Sequence, residues 1–435
     1  MERWQKIFLL GFLFLLAVIT VFFLRFFPKL ENDSSRDEQT MINLRLWHPW
    51  ENEGEAYKKS FLEAVEEYNE THDRIQIQAE GTEMELYREK LPSAIASNDT
   101  PDIYFCFGDS YLRGAVSSGK LLKMNEFLSD DTGSRLHADV LESMTYEGGI
   151  YGLGFSESIA VLFVNEDMFE AYGCRVPTDW EELLEVCREF LARDITPFAC
   201  SGDADTGFRL YLESICVSEA GSETCAKVLS QKGTEEENAA FAAGVDKFCR
   251  LRDMGAFGEP LFSRSTQDVE NDFYLSKIPM YLAKSDFTGN IVRENSPLHG
   301  KLSAVLFPGT HSQGEVLGGI SDTFVVNRAA EYPKETVQAL EEVLQNFAEK
   351  LYESGAGIPV WDTGDAKDPK DDVYWQIRSI ANSAHNRMPY WEFYLDRRRA
   401  EMFMKSSGEL GEGIITQEQF VRGLCGETEE TADGW

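Results

Sequence analysis

Apolar and polar positions alternate strictly from residue 42 to 47, with Ile42, Leu44 and Leu46 set against Asn43, Arg45 and Trp47. A period of two predicts a strand with one buried face. The period then changes. Across residues 55–71, Tyr57, Phe61, Leu62, Val65 and Tyr68 recur at helical spacing among Glu and Lys, which predicts an amphipathic helix. "RIQIQAE" (74–80) predicts a second strand with Ile75 and Ile77 inward. Residues 83–97 predict a second helix, with a kink or break at Pro92. "PDIYFCFG" (101–108) is almost continuously apolar, as for a strand covered on both faces. The order β-α-β-α-β predicts an α/β fold around a parallel sheet.

Farther along, a strand is expected around Ile159–Val164 and a helix after it. "VPTDWEELLEVCREFL" (176–191) predicts a helix capped by Thr178, with Glu181 three residues on completing a capping box. Helices are expected around 207–231, 235–252 and 333–352, and strands in "KIPMYLAK" (277–284), "KLSAVLFPG" (301–309) and "GGISDTFVVNRA" (318–329).

The first residues break this pattern. Ile7 to Leu24 carries no charge and would span roughly 27 Å as a helix, close to a bilayer core. No small-residue cleavage site follows it and no Cys stands nearby to take a lipid. Residues 1–6 therefore read as a cytoplasmic stub, 7–27 as a single-pass membrane anchor with the body on the extracytoplasmic side, and 28–40 as a polar linker.

The 435-residue chain has 75 acidic and 41 basic side chains, a formal net charge of −34, which excludes a role on nucleic acid. None of the eight cysteines stands in C-x-x-C spacing, so neither metal nor other cofactor is expected. Most of them read as small core residues, with a Cys216–Cys225 or similar bridge open if the body is extracytoplasmic.

Ligands of parallel α/β sheets sit beyond the carboxyl ends of the strands. "LWHPWE" (46–51) follows the first strand and Gly108-Asp109-Ser110 the third, so both loops should open onto one edge. That placement suggests that Trp47 and Trp50 line a cleft. His48, between Trp and Pro, reads rather as a structural histidine.

Several stretches, in this order, resemble bacterial extracellular solute-binding proteins of ABC importers, of the sugar-binding, maltose-binding-protein-like kind. They are "LPSAIASNDTPDIYF" with "SSGKLLKMNEFL", "YGLGFSESIAVLFVNEDMFEAYGCRVPTDWEELLEVC", "ITPFA", "IPMYLAKSDFTGNI", "GGISDTFVV" and "GIITQEQFVRGL". Together they cover about 41–424. The chain departs from the family where Phe287 replaces a tryptophan, where Val164-Asn165 replaces Tyr-Asn, and in lacking the lipid-bearing Cys.

The resemblance implies a two-lobed, periplasmic-binding-protein-like (type II) fold. Residues 41–156 and 317–354 would form one lobe, and 157–316 with 355–435 the other. Hinge crossings are expected near 156–158, 317–321 and 355–360. It implies a monomer with no catalytic residue that closes on a sugar or oligosaccharide and delivers it to ABC permease subunits. An accessory of a membrane sensor kinase, or less readily an anchored glycoside hydrolase, are the alternatives. A sugar offers flat C–H faces for aromatic rings and hydroxyls for charged partners. The expected ligand-binding residues are Trp47, Trp50, Glu51, Glu83 and Asp109 in the first lobe, and Glu157, Ser158 and Asp322 at the crossings. Asp203, Asp286, Phe287, Trp361, Tyr390 and Trp391 are expected from the remainder.

Overall fold

In a computed structural model, the structure describes residues 40–426 apart from 53–54, 56, 109, 137, 203–206, 259–262, 292–294, 312 and 321. The expected anchor and linker lie outside these residues. Among the described residues no helix is long and apolar enough to cross a membrane.

The strands are β1 (Ile42–His48), β2 (Ile75–Gly81), β3 (Ile103–Phe107), β4 (Thr145–Tyr146), β5 (Gly149–Ile150), β6 (Leu153–Gly154) and β7 (Ser156–Asn165). They continue with β8 (Phe198–Ala199), β9 (Met280–Lys284), β10 (Leu302–Val305), β11 (Glu315–Gly319), β12 (Asp322–Val326), β13 (Ile358–Pro359) and β14 (Asn386–Met388).

Two sheets organise the body. The first has the order β2-β1-β3-β12-β6. Its β1 pairs in parallel with β2 and β3, through the connecting helices Lys58–Thr71 and Met84–Ser97, while β12 joins antiparallel to β3. The alternation read in β1 is real: Ile42, Leu44 and Leu46 are buried and Asn43 and Arg45 exposed. β3 is buried at all five positions, as its unbroken apolar run requires. Pro92 lies inside Met84–Ser97 without ending the helix, so the expected break does not occur there.

The second sheet has the order β14-β11-β7-β9-β8, with β10 and β13 also paired to β7. All ten residues of β7 are buried, because this strand is covered by partners along its length. The helix Trp180–Leu191 is capped one residue later than expected. Asp179 accepts from the Glu182 amide at 2.9 Å, and Glu182 holds the Thr178 amide and hydroxyl.

The chain passes between the sheets three times. It leaves the first at Gly154 for β7, returns between Gly319 and Asp322, and leaves again after the helix Pro333–Ser354, which packs on Lys58–Thr71, to enter β13. The middle crossing depends on glycine. Gly318 has φ +119°, and a Cβ there would collide with the Ser158 carbonyl. All eight cysteines are free, so the Cys216–Cys225 bridge is not formed; both thiols are buried in the second lobe's helices.

Candidate ligand cleft

The ends of four strands meet where the chain crosses between sheets. β9 ends on Lys284, and the short turn Ser285–Phe287 that follows carries Asp286. β12 begins at Asp322, opposite Phe107 of β3. β7 supplies Ser158, and Tyr390 follows β14. Ser158 Oγ and the Tyr390 hydroxyl are 3.4 Å apart, and Lys284 Nζ sits 4.8 Å above the Tyr390 ring. From the first sheet's side, the Tyr57 hydroxyl reaches Ser156 Oγ at 3.4 Å.

This cluster holds charge in a poorly hydrated space. Asp286 Oδ1 is buried and has no hydrogen-bond partner. Burial raises the Asp286 carboxyl above its ordinary range, against the pull of Lys284. Burial also pushes Asp322 up to about 6, with Lys284 opposing and Asp286 adding to the rise. The Tyr57 and Tyr390 phenols are raised by burial, and both feel the Asp286 and Asp322 charges. Glu213, deep in the second lobe, is pushed to about 8 by burial although its Oε2 accepts the Trp391 amide at 3.0 Å.

At the rim the lobes touch directly. Arg88 Nη1 lies 3.5 Å from Glu392 Oε2. The Phe107 and Phe393 rings stack at 6.3 Å and 11°, with Tyr111 against Phe393. Beside this contact a cavity of about 240 Å³ is lined by Ser143, Met144 and Tyr146 on one side and by Pro389 and Phe393 on the other. Gly318, Gly319 and Ile320 line it as well.

The structure brings Ser158, Asp286, Asp322 and Tyr390 into one place. Glu157 is close by, with Oε1 accepting from Arg387 Nε at 2.6 Å. Asp109 and Asp203 lie outside the described residues. The large aromatics require correction.

Trp50 does not line a cleft: it fills the first lobe's core, ringed by Tyr57, Phe61, Phe105, Phe155, Phe324 and Phe347. Trp47 is buried on the opposite face of β1, its Nε1 donating to Glu80 at 2.8 Å and its ring covered by Lys90 at 3.4 Å. Trp361 is buried and donates to the Gly154 carbonyl at 2.8 Å, and Trp391 is wholly buried between Phe241 and Phe403. Phe287 packs into the second lobe's core against Phe163, Phe273 and Tyr281. Each ring removes more apolar surface from water inside a lobe than it would in an open groove.

Glu51 and Glu83 serve backbone ends instead. Glu51 accepts the Glu83 amide at 3.0 Å, and Glu83 caps its helix by accepting from Leu86. His48 is buried, accepts the Trp50 amide at 3.3 Å, and is lowered to about 4 by burial and by Lys58. It is a structural histidine, as its neighbours suggested.

Sequence reasoning did not single out Tyr57, Arg88, Lys284, Glu213, Arg387 or Phe393. Tyr57 was hidden inside a good helical stripe. Lys284 carried a usable signal: a lone charge ending the apolar strand "MYLA" and followed by Ser-Asp.

The family model for bacterial extracellular solute-binding proteins matches residues 50–351, more than half of the chain. The chain belongs to that family. Its members are binding proteins rather than enzymes. An uncharacterised ABC transporter extracellular-binding protein of Pyrococcus horikoshii is 22% identical over 361 residues, covering 80% of this chain and 79% of the relative.

Among solved structures, a protein from work on xylan utilisation by Caldanaerobius polysaccharolyticus superposes with a TM-score of 0.82 at 26% identity, covering 89% of this chain and 100% of that one. A chitin oligosaccharide binding protein superposes at 0.77 and 20% identity, covering 89% and 98%. The solute-binding protein is therefore a two-lobed α/β protein of the periplasmic-binding kind.

Proposed function

We propose that this solute-binding protein captures a sugar or oligosaccharide between its lobes and hands it to the permease subunits of an ABC importer. The observation that carries this reading is the interlobe cluster Ser158, Lys284, Asp286, Asp322 and Tyr390, in which a buried carboxylate oxygen of Asp286 stands without a donor. A saccharide hydroxyl is a neutral donor of the right size, and carboxylates bind such donors more strongly than neutral acceptors do. The names of the structural relatives, one for chitin oligosaccharides and one from xylan utilisation, agree with it. Phe393 lines the interlobe cavity, and Tyr390 joins the polar cluster through its hydroxyl.

In this reading residues 41–156 with 317–354, and 157–316 with 355–435, move as two bodies about the three crossings. The ligand stabilises the closed form by its differential affinity for it. The protein acts as a monomer, held at the membrane by residues 7–27. The test is a thermal-shift screen of residues 41–435 against xylo- and chito-oligosaccharides and their monosaccharides, followed by small-angle scattering. A binding sugar should raise Tm with concentration and shrink the radius of gyration. Saturable binding without compaction would sink the hinge account, and no shift with any saccharide would sink the sugar.

A further inference from the structure

A second buried polar group without a hydrogen-bond partner stands just after β8, the strand beside β9. Arg209 is only 9% exposed, yet its Nη2 has no hydrogen-bond partner. Among the described residues no ion pair engages it; its guanidinium carbon stands 5.4 Å from the Phe208 ring centre. A buried cation without an anion is expensive, and proteins keep one where something else completes it.

The fold sets where that something would sit. β8 runs parallel to β9 in register Phe198 with Met280, so the chain leaves both strands at the same edge. From that edge β9 leads to Lys284 and Asp286, and β8 leads to the helix Phe208–Ala220, whose first turn holds Arg209. Among the described residues, Glu213, one helical turn on, feels the Arg209 charge. Its carboxylate oxygen instead takes the Trp391 amide, and burial keeps its proton on near neutral pH. Asp286 is compensated by Lys284, which also faces Asp322. The edge thus has one acidic end, beside Lys284, and one cationic end with no ion pair among the described residues.

We infer that Arg209 is a specificity-determining residue for a saccharide that carries a carboxylate, a uronic acid unit, with the acid group on Arg209 and a hydroxyl on Asp286. This rests on the sugar reading above and narrows it. A neutral hydroxyl could accept one hydrogen bond from Arg209. Only an anionic group both pairs with the planar donor fork and cancels its charge.

The experiment is calorimetric titration of the whole chain at pH 7 and low salt with matched pairs: glucose and glucuronate, galactose and galacturonate, and xylo-oligosaccharides with and without a glucuronosyl branch. In the pair that binds, the acidic member should bind at least tenfold more tightly. Arg209→Met should abolish the preference, bringing the two members of the pair within about twofold of each other, and Arg209→Lys should keep part of it.

A neutral member that binds as well as or better than its acid in the unmodified protein overturns the inference, as does a preference that survives in Arg209→Met. Should that variant not fold, the ratio in the unmodified protein decides alone. Binding by neutral saccharides only would leave the sugar reading standing without this one; binding by no saccharide would overturn both.

Discussion

Two strand exits invite comparison. At the end of β1 the chain runs His48-Pro-Trp50-Glu51; at the end of β9 it runs Lys284-Ser-Asp286-Phe287. Each offers a large ring next to a carboxylate. In both, the ring turns inward and joins a lobe's core. The carboxylates differ. Glu51 is exposed and satisfied by the Glu83 amide, whereas Asp286 keeps a buried oxygen without a partner. A ring at a strand exit is thus a weak sign of a ligand face, since burial nearby always competes for it. A buried carboxylate oxygen left unsatisfied where the two lobes meet is a stronger sign, since a charged acceptor costs most when unpaired.

The comparison breaks most visibly if the indoles are removed. Trp50→Ala and Trp391→Ala should each destabilise folding by about 3–5 kcal/mol, seen as a shift of the urea midpoint. Whatever remains folded should bind ligand nearly as before. A variant of full stability that no longer binds would return the indole to the cleft. Asp286→Asn should behave in the opposite way: stability unchanged or slightly raised, because a buried carboxylate with an unsatisfied oxygen is gone, and affinity lowered by about 1.5–3 kcal/mol in titration calorimetry. Loss of stability in place of affinity would make Asp286 a structural residue.

These opposite expectations show what was legible in the chain. Period-two and helical patterns placed β1, β2, β3 and their helices, because those patterns report burial directly. The capping of Trp180–Leu191 slipped by one residue, since Thr178 and Asp179 are both competent caps and only the tertiary entry angle selects between them. The cleft was half legible. Ser158, Asp286, Asp322 and Tyr390 converge there, but five aromatic candidates went to cores. A local sequence does not say which face of a turn will be covered by elements far along the chain. Phe347, which helps to close over Trp50, is almost three hundred residues away. Arg209 and Lys284 were missed because a single cation in an apolar stretch has no period.

The buried carboxyls sharpen the comparison through pH. Glu213 has its folded value near 8 against 4.5 for an ordinary Glu, and Asp322 near 6 against 3.8 for an ordinary Asp. A raised carboxyl favours the folded form while protonated. The contribution of Glu213 is fully present below about 4.5 and lost as pH rises to 8; that of Asp322 is lost between about 4 and 6. The unliganded protein should therefore lose stability from pH 5 to pH 8, by on the order of 3–4 kcal/mol from Glu213. Glu213→Gln should flatten that slope, measured by denaturation at a series of pH values. An unchanged slope would mean that Glu213 is ionised in the fold. Bound ligand should weaken the Asp322 part, since a hydroxyl donor stabilises the carboxylate.

A similar strain belongs to the middle crossing. Gly318→Ala puts a methyl against the Ser158 carbonyl at a backbone angle that favours glycine, and should destabilise folding by about 1–2 kcal/mol. Because Gly318 also borders the interlobe cavity, it should shift scattering toward a more open form. Unchanged scattering together with an unchanged midpoint would show that the crossing tolerates a side chain.

The smallest effect belongs to the first exit and is the control for the second. Trp47 Nε1 donates to Glu80, and Arg45 adds an ion pair at 3.4 Å, which together hold the Glu80 carboxyl below its usual range. The carboxylate side chain is 48% exposed, so solvent screens the pair. Glu80→Gln keeps an acceptor for the indole and removes only the charge. It should lower stability by no more than about 0.5 kcal/mol, with the loss shrinking in high salt. Its effect on sugar affinity should be below twofold, because Trp47 faces Lys90 and the outer helix rather than the lobes' meeting edge. A tenfold loss of affinity from so mild a change would mean that the β1 exit reaches the ligand after all, and that the difference drawn between the two exits is wrong.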